Sequence, residues 1–284
     1  MSSTISPAPP TGRPDRFRPA LPGTLTRTSG LGLGIAMLWF SLLVLIPLCA
    51  VVVTASEGGW SNFWRAISNE QTRAAIAITL QAAAAVTLVN VVVGTIIAWV
   101  LVRDRFPGKA ALEVVIDIPF ALPTIVAGLV LLSLYGNDES PLGINVANSG
   151  ASVYLAFLFV TLPFVVRMVQ PVLEELDPEV EEAAASLGAS RFTTFRRVIL
   201  PGLAPAIAAG AALSFARGVG EYGSLVLLSG NLPFTSEVAS VRILGAVEND
   251  NPAAAASIAT LLLLVSLLTI VALDLLQRRI SDRG

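Results

Sequence analysis

The groups able to do chemistry in this chain are few, and two clusters of them stand out. The first is Arg217 with Glu221, inside a run that otherwise reads apolar. A charge in such a run costs about 2.5 to 3.5 kcal/mol on insertion scales, so both residues need partners or water. Their i, i+4 spacing permits mutual pairing, yet Arg precedes Glu, the less favoured order along a helix. Partners on another helix or another subunit therefore stay open. Gly218, Gly220 and Gly223 beside them suit close helix approach.

The second cluster is the segment from Asp177 to Pro201. Asp177 is placed to cap a short helix, Pro178 suits its first position, and Glu179, Glu181 and Glu182 complement the positive end of the helix dipole. Gly188 can take the left-handed conformation that stops the helix. Val180, Ala183, Ala184 and Leu187 fall at i, i+3, i+4 and i+7, a narrow face of mostly small residues that another surface can approach. Ser190 then opens a second helix carrying Phe192, Phe195 and Ile199 before Pro201.

Other chemistry is poorly provided for. The chain has no histidine, the commonest metal ligand and neutral-pH acid-base group, which argues against a metalloenzyme or a His-based hydrolase. The single cysteine, Cys49, lies in an apolar run and reads as a small packed hydrophobe. No metal site is expected. No G-x-x-x-x-G-K-[ST] phosphate loop occurs, so any ATP chemistry belongs to another chain.

The elements that must position these clusters are membrane spans. The 284 residues are 54% hydrophobic and 13% charged, with a mean hydropathy of +0.75, against about 25% charged in an ordinary soluble domain. Apolar runs long enough to cross a hydrocarbon layer about 30 Å thick recur along the chain. They lack the strict alternation of barrel strands, so the expected fold is all-α. Six transmembrane helices are predicted, near 31–54, 74–102, 111–135, 151–170, 203–228 and 253–276. Fourteen Lys and Arg fall on one side of this arrangement and three, Arg65, Arg73 and Arg242, on the other, with Arg217 inside a span. That excess predicts N-in and C-in.

Residues 1–30 are rich in proline and poor in apolar side chains, and read as a disordered cytoplasmic tail. The membrane domain is expected over 31–276, with the loop about 171–201 on the cytoplasmic side and a short cytoplasmic tail at 277–284. Between the first two spans, Trp60, Phe63, Trp64 and Ile67 at helical spacing read as an interfacial anchor. Pro47, Pro119, Pro123 and Pro163 interrupt spans and are expected to kink them.

The spelling Glu182, Ala183, Ala184, then Gly188, then Val198, Leu200 and Pro201 resembles the EAA loop of ABC importer permeases, E-A-A-x3-G-x9-I-x-L-P. Only Val198 departs from it, keeping a β-branched apolar side chain. The stretches DIPFALPTIVAG from Asp117, LYGN from Leu134 and ARGVGEYG from Ala216 resemble the sulfate/molybdate branch. With the extra first span and the SPLG at Ser140, the chain is most similar to the T-type permease subunits of sulfate/thiosulfate importers.

This resemblance implies a type I importer permease whose EAA loop sits in a groove of a cytoplasmic ATPase subunit. It implies as partners a homologous W-type permease subunit, two ATPase subunits and an extracytoplasmic sulfate-binding protein, in the lipid of the cell membrane, with no nucleic acid. No cofactor is expected on this chain, and ATP and Mg belong to the ATPase. Arg217 and Glu221 become a candidate translocation pathway, where Arg217 meets the oxyanion or the pair gates it, or else a structural ion pair. The Arg-first order tips the reading toward the pathway.

On the predicted outer side, Glu57, Glu70, Asp138, Glu139, Glu237, Glu248 and Asp250 outnumber three arginines. That face is unsuited to drawing in a dianion by long-range field, which fits a separate anion-collecting protein. A molybdate or tungstate permease of the same branch is the near alternative. An ion-coupled secondary transporter would commonly show inverted repeats, and none is visible.

Overall fold

The structure, a computed structural model, describes residues 27–136, 140, 141 and 143–281. The proline-rich segment up to residue 26, together with Asp138 and Glu139, lies outside the described residues. Among the described residues every regular element is a helix. The chain parts into two compact units between Cys49 and Ala50.

The first unit holds helix α1 (Arg27–Phe40), a π-helical turn over Ser41–Leu45 and the start of α2 (Ile46–Glu57). Together they make one apolar span, Ser29–Glu57. Pro47 does not break it. A proline lacks its own N–H and clashes with the carbonyl four residues earlier, here Leu43, and the wider π turn around Leu43 makes room. The same device recurs at Phe195–Ile199, two residues ahead of Pro201.

The second unit continues with α3 (Gly59–Ser68), α4 (Glu70–Arg103), α5 (Lys109–Ala121), α6 (Thr124–Tyr135) and α7 (Gly150–Glu175). It goes on through α8 (Pro178–Ser186), α9 (Arg191–Thr194), the second π turn, α10 (Leu200–Val219), α11 (Gly223–Leu228), α12 (Ala239–Glu248) and α13 (Pro252–Ser281). Helix α3 is the expected amphipathic element, with Trp60 stacked on Phe63 and Trp64 at centroid distances of 5.5 and 6.3 Å.

Among the described residues five helices are long and apolar enough to span, or six if α5 and α6 count as one broken span. The expected single span 111–135 is thus corrected to two half-helices. The chain turns through 118° between them, at Leu122 and Pro123, which are extended and begin α6 instead of continuing α5.

Helix α7 is the centre of the second unit. Its Val165 touches α4 where Gly94 leaves no side chain, and α10 where an added Cβ at Gly210 would lie 3.0 Å from the Val165 Cα. Small residues let the three backbones close up, as helices in lipid require. One apolar cluster forms around Phe157, Val153, Leu225 and Leu228, and another around Leu101, Val166, Leu173 and Leu203. At the crossing, the Asn90 amide donates to Thr161 Oγ1 at 2.7 Å and to Ser214 Oγ at 3.4 Å, tying α4, α7 and α10 together.

Candidate coupling loop and membrane charge sites

The loop between α7 and α10 folds as its caps dictate. Asp177 Oδ1 accepts from the Glu179 N–H at 2.9 Å, so the first turn of α8 has one of its orphan donors satisfied. At the other end Gly188 has φ +82°. The Ala189 N–H donates to the Ala184 carbonyl and the Gly188 N–H to the Ala185 carbonyl, the paired bonds of a glycine helix stop. Ser190 Oγ then accepts from the Thr193 N–H at 3.2 Å and starts α9.

From there the span begins earlier than the expected residue 203, and the helix begun after Ser190 runs through Pro201. Arg191–Val219 forms one continuous span, because the π turn absorbs the proline. Along Val198–Pro201, Ile199 is the buried anchor while Val198 and Pro201 are exposed and Leu200 is half-buried.

Helices α8 and α9 expose large apolar side chains among charged and polar ones such as Glu179 and Arg191. Leu187 is 89% exposed, Phe192 71% and Val180 50%, beside exposed Glu182 and Ala183 and half-buried Ala184. Helix α8 is also tethered to the membrane helices. Arg103, the last residue of α4, donates from Nε to Glu181 Oε1 at 3.0 Å and from Nη2 to the Leu176 carbonyl at 3.2 Å. It grips the entry to α8 and its second turn together. Beside it opens a recess of about 820 Å³ whose walls include Glu182 and Phe192, with Trp99 of α4 edge-on to Phe195 at 5.6 Å.

Arg217 and Glu221 are brought together, though not as an i, i+4 pair on one helix. Helix α10 ends at Val219, so the expected span 203–228 stops nine residues short and Glu221 lies in the link to α11. The reason is local. Gly220 closes the last turn, and Glu221 leaves it to cap the next helix, Oε1 accepting from Ser224 N at 2.9 Å and Ser224 Oγ at 2.8 Å. Its Oε2 lies 2.5 Å from Arg217 Nη1, an ion contact and not an aligned hydrogen bond. Glu221 is 1% exposed and its main-chain carbonyl accepts from Ser240 Oγ at 2.6 Å. The Arg-first order therefore carries no penalty in this pair, since Glu221 lies beyond the end of α10 and one helix axis does not run through both residues.

The two interruptions meet. A Cβ added at Gly223 would lie 3.0 Å from the Ile125 nitrogen, and one added at Gly128 would fall 2.5 Å from the Ser224 carbonyl oxygen. So α11 packs backbone to backbone on α6, and Gly128 and Gly223 are required there.

A second charge pair was not anticipated from sequence. Arg167 of α7 donates from Nε to Asp117 Oδ1 at 2.7 Å and from Nη2 to Oδ2 at 2.5 Å, while Nη1 reaches Gln170 Oε1 at 2.8 Å. This bidentate fork clamps α5 to α7 just before the bend. Its only signals were Asp117 two residues before Pro119 and an arginine at the end of a span, which charge counting had placed simply in a loop. Among the described residues no cluster of three or more acidic or Cys side chains is arranged to hold a metal ion.

With this geometry in view, the comparisons with known proteins are specific. The model of the family described as binding-protein-dependent transport system inner membrane component matches residues 90–282. The chain belongs to that family and is a multi-pass membrane permease component of a transport system. It is 43% identical to the sulfate transport system permease protein CysT of Salmonella typhimurium over 259 residues, 89% of this chain and 94% of the relative. It is 42% identical to the protein of the same name in Escherichia coli, over the same shares. To that of Synechocystis it is 44% identical over 86% of this chain and 87% of the relative. Among solved structures, a bacterial alginate ABC transporter in complex with an alginate pentasaccharide-bound periplasmic protein matches with a TM-score of 0.74 at 16% identity, covering 88% of this chain and 94% of that one. The MetNI methionine ABC transporter matches with a TM-score of 0.54 at 19% identity, over 75% and 99%. These last two speak for the fold.

Proposed function

We propose that this chain is the T-type permease subunit of an ATP-driven sulfate importer. It would pair with a homologous W-type permease, two ATPase subunits and an extracytoplasmic sulfate-binding protein. The observation that carries the coupling half is the face made by Val180, Leu187 and Phe192, apolar, exposed and held on two capped helices. A surface so built suits a groove on a partner. The substrate half is supported by the named relatives, sulfate permeases matched over most of both chains.

The excess of Lys and Arg supports placing both termini and the loop 171–201 in the cytoplasm. Glu182, Ala183, Ala184 and Gly188 then form the contact with the ATPase, and Val198, Leu200 and Pro201 lead into the membrane. ATP and Mg are bound by the partner. Motion enters at α8 and travels by two routes. One is the continuous helix Arg191–Val219, roughly 44 Å long at 1.5 Å per residue, which connects Phe192 to Arg217. The other is Arg103, which makes α8 move with α4.

At the far end of the long helix lies the junction of α10, α11 and α6. We assign the gate to this junction, with Arg217 as the group that meets the anion. Arg217 is 30% exposed and Glu221 is its one ionic partner among the described residues, so guanidinium donors remain for a second acceptor. The test is ATP-dependent uptake of radiolabelled sulfate by the reconstituted four-component importer. Uptake without ATP or the ATPase would favour an ion-coupled transporter instead.

A further inference from the structure

We infer that a recess framed by α3, α4, α12 and α13, on the face placed outside the membrane, binds a tetrahedral oxyanion. Its volume is about 330 Å³ and its walls include Arg65 of α3 and Arg242 of α12, at the small end of ligand sites. Among the described residues neither arginine has a carboxylate within 4.0 Å. The only hydrogen bond drawn to either side chain is a long one, Arg242 Nε to Thr72 Oγ1 at 3.4 Å.

The other polar walls are mixed, with two amides that present NH₂ groups and Asn249, whose NH₂ donates to the Gly245 carbonyl at 2.6 Å and leaves its oxygen. Asn69 Oδ1 accepts from the Thr72 N–H at 3.2 Å, and Asn251 Oδ1 from the Ala254 N–H at 3.1 Å, which leaves both NH₂ groups uncommitted and able to donate into the recess. Those backbone donors fix which end of each amide is oxygen. Glu248 and Asp250 flank Asn249 in sequence, yet neither lines the recess. Two guanidinium groups on a small volume whose lining has no acid, with the Asn69 and Asn251 NH₂ groups beside them and the Asn249 oxygen as the one opposing acceptor identified, suit sulfate or the phosphate of a lipid headgroup. The neighbouring Trp60 and Trp64, 75% and 58% exposed, put the recess at the depth of an interface, where either source is available.

This site goes beyond the proposed coupling and gate and takes from that reading only the orientation. Its test needs neither ATPase nor uptake, so the two stand or fall separately. The full chain is reconstituted in phosphatidylcholine nanodiscs and titrated with radiolabelled sulfate, and its retention of phosphatidylglycerol is measured in parallel by native mass spectrometry. Loss of two charge-assisted contacts predicts that Arg65→Gln with Arg242→Gln weakens one of these two ligands at least about tenfold, while Arg65→Lys with Arg242→Lys stays within a few-fold. A change in sulfate titration identifies the free ion, and a change only in lipid retention identifies the headgroup. Should the Gln pair fail to fold, Arg65→Gln alone, at an exposed side chain, carries the same measurement. Unchanged binding of both ligands by a folded Gln variant overturns the inference.

Discussion

Glu221 holds Arg217 by one carboxylate oxygen and the N-terminus of α11 by the other, so a single 1% exposed side chain joins the end of one helix to the start of the next. Losing Glu221 alone strands a partly buried arginine and uncaps α11. Removing one partner of a buried pair costs about 3 to 5 kcal/mol, with the lower end apt here because Arg217 is 30% exposed. Glu221→Leu should therefore lower the apparent melting temperature strongly. Arg217→Met with Glu221→Gln removes both charges and keeps an oxygen for Ser224, so it should melt close to wild type. The same double variant should assemble and hydrolyse ATP while losing sulfate uptake. Normal uptake by that variant would leave Arg217 as scaffolding.

Arg167 tests whether the bend after α5 needs its clamp. A lysine cannot reproduce the two parallel bonds to Asp117 together with the reach to Gln170. With the pair 31% and 48% exposed, solvent screens much of it, and Arg167→Lys should cost about 1 kcal/mol or less. The larger effect should be on uptake, through a misplaced α6. Exchanging the two charges, Asp117→Arg with Arg167→Asp, should recover part of the loss. An exchange no better than either single variant would show that the contact is incidental.

Arg103 is the residue whose loss should separate hydrolysis from transport. It carries no contact to the proposed ATPase face but joins α4 to Glu181 and to the Leu176 carbonyl. Arg103→Ala should leave ATPase binding and hydrolysis near wild type and reduce sulfate moved per ATP several-fold. Equal losses in hydrolysis and uptake would point to a simple folding defect.

Much of this could be read in the sequence, and the failures have physical reasons. The caps of α8 were legible because Asp177, Pro178 and Gly188 act within a few residues of themselves. The apolar runs marked the spans because lipid demands length and composition that chance rarely supplies. Pro123 was expected to kink its span, and the chain turns through 118° there, a larger break than a kink. Pro123 ends up beginning a new half-helix, whereas Pro201 sits inside a long helix because a π turn takes up its clash, and nothing in either local spelling distinguishes the two. Arg167 with Asp117 and Arg103 with Glu181 were missed because residues 50 and 78 positions apart meet only through tertiary packing.

The central claim is that the loop ending at Gly188 passes ATPase motion to the membrane helices. Gly188 stands at φ +82° with open space around its missing Cβ, so a substitution there strains the backbone without causing a clash. A β-branched residue in the left-handed region costs about 1 to 2 kcal/mol and favours running α8 onward past its stop. Gly188→Val should therefore leave the membrane domain folded and displace the face that carries Leu187. Sulfate uptake and ATP hydrolysis, measured together in proteoliposomes holding the full importer, decide the matter. The account predicts that Gly188→Val loses ATP-driven uptake while the chain still inserts and pairs, and normal uptake coupled to normal hydrolysis would contradict it.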